Sequence, residues 1–272
     1  TAVLTTGPPH STHLIGLKLH KRLGIRWCTD FRDPWADIYY LKLNPPSAFT
    51  MRMHKRLEKK VIANSFINFI VSRSIAEALP AGRKEVLYNG FDPQDFRGLA
   101  YSRSQQFRIK FVGQLTAGQD ASVLIEALAD LNGLSELQFS LIGTRDFPAN
   151  TLQVRRLPFI PHNEAIKELV EAELLVLFIN SYEGNKGMLT TKLFEYIASR
   201  SPILCIAAKG GEAEELITRC NCGVVLQEKA EIREHISKLY SLWKEGAGLR
   251  TTADISFLDV NVQAQKLNLI NP

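Results

Sequence analysis

Residues 192–206 read KLFEYIASRSPILCI, a helical pattern followed directly by a short apolar run. The pattern predicts a helix over residues 190–199 and a strand over residues 202–207. The strand is apolar throughout rather than alternating, which is expected of a parallel strand covered on both faces. This pair of elements therefore indicates a parallel sheet flanked by helices.

The same alternation of apolar runs and helical patterns extends through the chain. Further strands are predicted at residues 66–72, 85–89, 108–112, 137–142, 174–179 and 223–226. Further helices are predicted at residues 11–23, 121–131, 163–172, 212–218 and 228–244. Repeated strand–helix alternation predicts an α/β fold built on doubly wound sheets.

A polar, aperiodic stretch at residues 97–106, RGLAYSRSQQ, has the character of a linker. It divides the sequence into a first domain at residues 1–98 and a second at residues 99–250, with a tail at residues 251–272. The second domain holds enough strand–helix units to be complete. The first opens inside an apparent strand and holds too few, so we expect the start of that domain to precede Thr1.

The composition is that of an ordinary globular protein, with 45% of the 272 residues hydrophobic and 22% charged. No run approaches the roughly 18 apolar residues of a membrane span, and the first residues lack the pattern of a signal peptide. Four cysteines are too few for a disulfide scaffold, and Cys220 and Cys222 lack the second pair of a zinc site. We therefore expect a cytoplasmic protein with reduced thiols.

Charge is distributed unevenly along the chain. Residues 1–100 hold 15 Lys and Arg against 8 Asp and Glu, a net +7, whereas the remainder holds 18 against 20, a net −2. A basic first half indicates an anionic partner, such as membrane headgroups, a phosphorylated substrate or nucleic acid.

A helical pattern at residues 51–62 concentrates this charge on one face. Its basic residues are Arg52, Lys55, Arg56, Lys59 and Lys60. An adjoining apolar stripe is formed by Met53, Leu57 and Val61. The alternatives are an anionic membrane surface, such as the inner face of the membrane, and an ordinary helix whose stripe packs on the sheet. Nucleic acid is not favoured, because no aromatic residue interleaves the basic ones.

Residues 187–202, GMLTTKLFEYIASRSP, give the strongest indication of a binding site. Free N–H groups at a helix start favour an anion, and Thr190 and Thr191 can add hydroxyl donors. Lys192 puts a cation in the first turn, where the helix dipole disfavours it, so a bound phosphate would explain it. Glu195 lies one turn further and can accept two hydrogen bonds from a ribose. The alternative is a capped helix with solvated side chains.

Two other segments combine strand ends with turn residues. Residues 111–120, FVGQLTAGQD, run from a strand into Gly113 and Gln114, a turn at which backbone can approach a ligand. Residues 88–96, YNGFDPQDF, contain two turn signals and are interpreted as a connector.

A third segment, CTDFRDPW at residues 28–35, carries charged residues after an apolar strand end. Asp30, Arg32 and Asp33 are either a salt-bridge network or a catalytic set, since sites in α/β folds collect after strands. His10 and His13, on the preceding loop, are further candidates for acceptor binding.

Together these segments resemble the retaining family-four glycosyltransferases of the GT-B fold. The resemblance rests on the YNG turn, the FVGQL loop and KLFEYIASRSPILCI, and TTGPPHSTHLIGLKLHKRLGIRWCTDFRDPW is similar to one bacterial branch. It implies two Rossmann-like domains, the first incomplete in this sequence. It also implies sugar transfer from a nucleotide diphosphate sugar to a glycan or lipid-linked glycan, in cell-surface polysaccharide synthesis.

The resemblance assigns roles position by position. Glu195 matches the glutamate that binds the donor ribose, and Gly113 matches a glycine of the first loop of the nucleotide domain. The loop that faces the diphosphate and sugar is matched by Gly187, Met188, Leu189, Thr190 and Thr191.

Two departures from the family pattern bear on the donor. Gly187 stands where the family has a glutamate that contacts the sugar, and the acid before it is Glu183. Gln114 replaces a cation that grips the diphosphate, for which Lys186 and Lys192 can compensate.

No cofactor or metal is expected, because no Asp-x-Asp motif occurs and the leaving diphosphate can be stabilised by backbone amides and Lys. Two alternatives remain open. One is a noncatalytic nucleotide-sugar-binding domain, in keeping with Gly187 and with the incomplete first domain. The other is a sugar-nucleotide 2-epimerase, for which His162 with Glu164 is the acid–base candidate.

Overall fold

The structure, a computed structural model, describes residues 2–38, 41, 44–115, 119–144, 147–148, 154–180 and 186–270. The chain forms two compact units, Thr1–Asn89 with Val260–Pro272 and Gly90–Asp259. The boundary lies at Asn89–Gly90, so the stretch 97–106 that resembles a linker lies inside the second unit.

The first unit is built on four parallel strands in the order β1-β2-β3-β4. Its elements are β1 (Ala2–Gly7), α1 (Thr12–Leu23), β2 (Arg26–Phe31), α2 (Ala48–Asn64), β3 (Asn68–Ile70), α3 (Arg73–Ala78) and β4 (Lys84–Val86). Right-handed crossovers between sequential parallel strands put the helices on one face of the sheet. Trp27, Phe31 and Ile70 accordingly pack with side chains of all three helices.

The opposite face of the first sheet is covered by the end of the chain. A short helix at Val260–Gln265 and a 3-10 turn at Lys266–Ile270 close the first unit. Leu267 and Ile270 pack with Cys28 and Phe69, and the Gln263 side chain accepts a hydrogen bond from the Tyr88 backbone N–H at 3.0 Å.

The second unit is a six-stranded parallel sheet in the order β10-β9-β8-β5-β6-β7. Its strands are β5 (Phe107–Val112), β6 (Leu137–Ile142), β7 (Val154–Leu157), β8 (Leu174–Phe178), β9 (Ile203–Ile206) and β10 (Gly223–Leu226). Its helices are α4 (Ser122–Ala129), α5 (His162–Val170), α6 (Thr191–Ala198), α7 (Glu212–Arg219) and α8 (Lys229–Lys244). The predicted α/β class with parallel sheets is confirmed.

The strand order of the second sheet reverses between β5 and β8. The chain first builds outward from β5 to β7 and then returns to add β8, β9 and β10 on the other side. Ligands of open α/β sheets bind at the carboxyl ends of the strands where such a reversal occurs. The segments after β5 and before α6 meet this criterion.

Candidate functional site

Two glycine loops follow β5 and β6 and are tied to each other. Gly113 has φ +103° and Gly143 has φ +72°, a region that residues with a Cβ rarely adopt. The Thr144 hydroxyl donates to the Gly113 carbonyl, and the Gln114 side-chain amide donates to the Gly143 carbonyl. The two loops therefore form a fixed backbone surface at the carboxyl ends of the strands.

A cleft of about 680 Å³ opens beside these loops. Its lining residues are Gln114, Gly143, Thr144, Pro158 and Phe159. Phe159 is 85% exposed, unusually so for a phenylalanine, and its aromatic ring lines the cleft.

Helix α6 begins at the same edge without a side-chain cap. Thr190 is its N-cap residue, but no side-chain capping hydrogen bond forms. The Thr190 Oγ1 atom is buried and has no partner in the described part of the chain. Before it, Gly187 and Leu189 are buried, Met188 is half-buried and Lys186 is exposed, while Thr191 is exposed within the first turn. The first turn of α6 thus keeps donors available to an anion.

Lys192 reaches from α6 across the first glycine loop. Its ammonium donates to the Gln114 carbonyl at 3.2 Å and lies 5.2 Å from the centroid of the Phe111 ring. A Cβ on Gly113 would lie 2.5 Å from this ammonium, so the glycine makes room for it. Burial lowers the pKa of Lys192, and the charge of Glu195 partly offsets this. The Lys192 ammonium thus lies at the first glycine loop.

Glu195 lies on the same helix face, one turn after Thr191, and is half-buried. Burial raises the pKa of its carboxyl, whereas the charges of His162 and Lys192 lower it. No described residue forms a hydrogen bond or ion pair with this carboxylate. A half-buried carboxyl with a perturbed pKa at the edge of a sheet is a candidate for ligand binding.

His162 and Asp95 form an ion pair beside Glu195. The His162 Nε2 atom lies 3.1 Å from Asp95 Oδ2, and this contact raises the pKa of His162. Sequence reasoning paired His162 with Glu164, which is exposed on α5. The partner that the structure gives His162 comes instead from the 3-10 turn at Pro93–Phe96, inside the segment interpreted as a connector.

In the first unit, Asp30, near the end of β2, lies beside Arg32, which follows the strand directly. Their side chains are 2.9 Å apart, and Arg32 also donates to the Asn89 side-chain oxygen at 2.6 Å. Asp30 is buried, which raises the pKa of its carboxyl against the opposing effect of Arg32, and its Oδ1 atom has no partner among the described residues. Arg32 is half-exposed, so its guanidinium is fixed in place while still reaching solvent.

Asp33 does not join this pair. Its carbonyl accepts a hydrogen bond from His10 Nε2 at 2.9 Å, and burial raises the pKa of its carboxyl. The loop that follows is held by α2, where the buried Glu58 carboxylate accepts from the backbone N–H groups of Trp35 and Ala36. The predicted trio is therefore one ion pair plus a separate, half-buried acid.

His10 and His13 are buried. His13 lies in the first turn of α1 rather than on a loop, so its predicted placement is wrong. Its Nδ1 atom lies 2.9 Å from the Thr5 hydroxyl, and burial lowers its pKa to about 4, which keeps it neutral. His10 stacks on Trp35 with ring centroids 5.5 Å apart. Neither ring is exposed to an acceptor.

Two global features bear on the remaining expectations. Across the described ranges, no group of three or more His, Cys, Asp or Glu residues is placed to hold a metal ion. No helix in the same ranges is long and apolar enough to span a membrane. Glu183, the acid considered as a sugar contact, lies outside the described residues.

Comparison with known proteins supports the fold. No protein-family description and no curated protein sequence matches the chain. Among solved structures, sucrose-phosphate synthase from Thermosynechococcus elongatus is 12% identical, with a TM-score of 0.69 over 98% of this chain and 72% of that one. Anabaena HepE in complex with UDP is 16% identical, with a TM-score of 0.68 over 97% and 77%.

A different enzyme is similar too. A putative UDP-N-acetylglucosamine 2-epimerase from Listeria monocytogenes is 11% identical, with a TM-score of 0.56 over 98% of this chain and 74% of that one. At these identities the likeness shows the fold alone. The prediction of two Rossmann-like domains of the GT-B type is confirmed at that level.

Proposed function

We propose that the chain is a glycosyltransferase that takes a sugar from a nucleotide diphosphate sugar. The observation that carries this is the meeting of three groups at the reversal point of the second sheet. The Gly113 loop offers backbone, Lys192 lies across it, and Glu195 presents, one turn into α6, a carboxylate that no described residue pairs with. These are the groups that a nucleoside diphosphate requires: donors and a cation for phosphate, and an acceptor for ribose hydroxyls.

In this proposal, each part of the donor has its own residues. Glu195 accepts from the ribose hydroxyls. The diphosphate lies against Gly187, Met188, Leu189, Thr190 and Thr191, with Lys186 and Lys192 as cations. The base enters the cleft beside Gln114, where the exposed Phe159 ring can stack on it.

The chemistry follows from these groups. Negative charge develops on the diphosphate as the bond to the sugar breaks, and preorganised amides and cations stabilise that charge. Donors fixed before the reaction cost no reorganisation during it. We propose transfer with retention and without a metal, on the strength of the family resemblance.

The first unit is proposed to take the acceptor, a glycan or lipid-linked glycan of a cell-surface polysaccharide. Support comes from Arg32, which Asp30 and Asn89 hold in a half-exposed position at a strand end. Asp33, half-buried with a raised pKa, is the candidate for proton transfer at the acceptor hydroxyl. A cytoplasmic location, with peripheral association at the inner membrane face, belongs to the same proposal.

Thermal denaturation with UDP-, GDP-, ADP- and TDP-sugars tests this function, since a ligand of the native state raises the midpoint. We expect one nucleotide series to raise it. No response to any series would contradict the proposal. A response without sugar transfer or donor hydrolysis would leave the noncatalytic binding domain as the function.

The phosphate assignment has its own test. Lys192→Ala and Lys186→Ala should weaken binding of the nucleoside diphosphate more than binding of the nucleoside, because each removes a charge that only the phosphates meet. Isothermal titration calorimetry with both ligands measures the difference. Equal losses for both ligands, or none, would show that the phosphates lie elsewhere.

One observation supports a second candidate function, that of a sugar-nucleotide 2-epimerase. His162 is paired with Asp95 and lies near Glu195, an arrangement suited to proton transfer. Incubation with UDP-N-acetylglucosamine, followed by NMR of the sugar, distinguishes the two. Inversion at C2 without an acceptor would favour the epimerase, and His162→Gln should then abolish it.

A further inference from the structure

The structure sorts the residues of α2 into an inner and an outer face. Glu58, Val61 and Ile62 are buried, and the two apolar ones pack in the core of the first unit. Leu57 is partly buried on the same core. On an α-helix, each residue lies about 40° around the axis from the residue four positions before it. Along Met53, Leu57 and Val61, this rotation takes the side chains from the surface into the core. Leu57 and Val61 of the predicted apolar stripe therefore pack on the core, as the alternative of an ordinary helix expects, whereas Met53 stays exposed.

Two large apolar side chains remain on the outer face. Phe49 is 76% exposed and Met53 is 45% exposed. With Arg56 and Lys60 they have the spacing i, i+4, i+7 and i+11, which aligns them along one side of the helix. All four are exposed. The outer line of α2 thus begins apolar and ends basic.

Within the described residues, no ion pair neutralises the charge of this face. Its cations, all exposed, are Arg52, Lys55, Arg56, Lys59 and Lys60. None of them forms an ion pair with a residue in the described part of the chain. Glu58 is the one acid of α2, and it faces inward with its carboxylate bonded to the Trp35 and Ala36 N–H groups. The outer face therefore carries positive charge without a compensating carboxylate of its own helix.

We propose that this outer face docks the protein on an anionic lipid surface. Phe49 and Met53 enter the boundary between headgroups and acyl chains, and the five cations contact anionic headgroups. An amphipathic helix with aromatic and apolar residues beside Lys and Arg lies in the membrane interface in this way. This inference deepens the peripheral membrane association proposed above, and its test does not depend on the donor site in the second unit.

Vesicle co-sedimentation of the whole chain tests the proposal. The probes are vesicles of phosphatidylcholine and vesicles of phosphatidylcholine mixed with an equal amount of phosphatidylglycerol. We expect sedimentation with the anionic vesicles alone, and release by high salt because exposed charges are screened. Arg56→Glu with Lys60→Glu should reduce partitioning at least about 25-fold, since each surface cation contributes about fivefold. Phe49→Ala should also weaken it.

A matched charge reversal, Arg233→Glu with Lys238→Glu on the exposed face of α8, should leave partitioning unchanged. Thermal midpoints show that each variant is folded. The proposal is overturned if wild-type protein ignores phosphatidylglycerol, if the α2 reversal sediments as before, or if the α8 reversal loses as much. Retention by duplex DNA without vesicle binding would identify nucleic acid as the partner instead.

Discussion

At the scale of single residues, Glu195 shows the clearest conflict between stability and binding. Burial raises the pKa of its carboxyl, so its charge is disfavoured in the folded protein. His162 and Lys192 offset only part of this effect. A carboxyl whose charge costs stability in this way is a candidate for ligand binding.

Glu195→Gln should therefore raise the thermal midpoint at neutral pH while weakening nucleotide binding. The folded protein holds the proton of Glu195 more tightly than the unfolded chain, so ionisation costs stability above the folded pKa. As pH falls through that raised pKa, the wild-type carboxyl takes up its proton and the advantage of the variant should shrink. Calorimetric melts across this pH range measure the difference, with the exposed Glu164→Gln as control. A lower midpoint for Glu195→Gln at neutral pH would show that the carboxylate is structural.

Gly113 makes a second residue-scale prediction. Its φ of +103° and the 2.5 Å approach of a Cβ to the Lys192 ammonium both oppose a side chain. Gly113→Ala should cost about 1–3 kcal/mol of stability and displace Lys192, which weakens diphosphate binding. Gly133→Ala, where a Cβ would meet no atom within 4 Å, is the matched control. Denaturant unfolding and calorimetry report the two effects, and equal behaviour of both variants would contradict this account of Gly113.

At the scale of elements, α2 has a structural role besides its outer surface. Its inner face holds the loop that carries Asp33, because Glu58 satisfies the N–H groups of Trp35 and Ala36. His54 Nδ1 accepts from the Trp35 indole at 2.9 Å. The position of Asp33 therefore depends on a helix that lies far from it in the sequence.

Glu58→Ala should destabilise the first unit by about 2–4 kcal/mol, because two buried amides lose their acceptor. Glu58→Gln keeps an acceptor oxygen and should lose less. Lys59→Ala, an exposed neighbour on the same helix, should be nearly neutral. Urea unfolding of the three variants measures these differences in the free energy of unfolding. A Glu58→Ala variant as stable as Lys59→Ala would mean that the loop is held by other contacts.

At the scale of the whole molecule, the sequence predicted the buried parts of the sheets well. Residues 137–142 and 223–226 are strands with the predicted bounds, because each run is mainly apolar, although the outermost strand at 223–226 is mostly half-buried. The edge strand β7, Val154–Leu157, was missed because its central residues are two exposed arginines. The sequence did not predict the short helix α3, because so short a helix has too few turns to show a helical period.

The site was predicted only where its residues are neighbours in sequence. Lys192, Glu195 and the loop before them share one segment, and helix geometry places them. The ion pair of Asp95 with His162 joins residues 67 positions apart, and the contact of Lys192 with Gln114 joins residues 78 apart. Local patterns carry no information on such contacts, since the sheet order creates them. The exposure of Phe159 and Phe49 is likewise a result of tertiary packing.

The central claim is that Glu195 binds the ribose of a nucleotide donor, and calorimetric titration tests it most directly. The ligand is whichever of UDP, GDP, ADP and TDP binds wild-type protein most tightly. Loss of hydrogen bonds to a charged acceptor costs roughly 1.5–3 kcal/mol, so Glu195→Ala should weaken the affinity more than tenfold, while Glu164→Ala on α5 should leave it unchanged. Undiminished affinity of a folded Glu195→Ala variant would contradict the account.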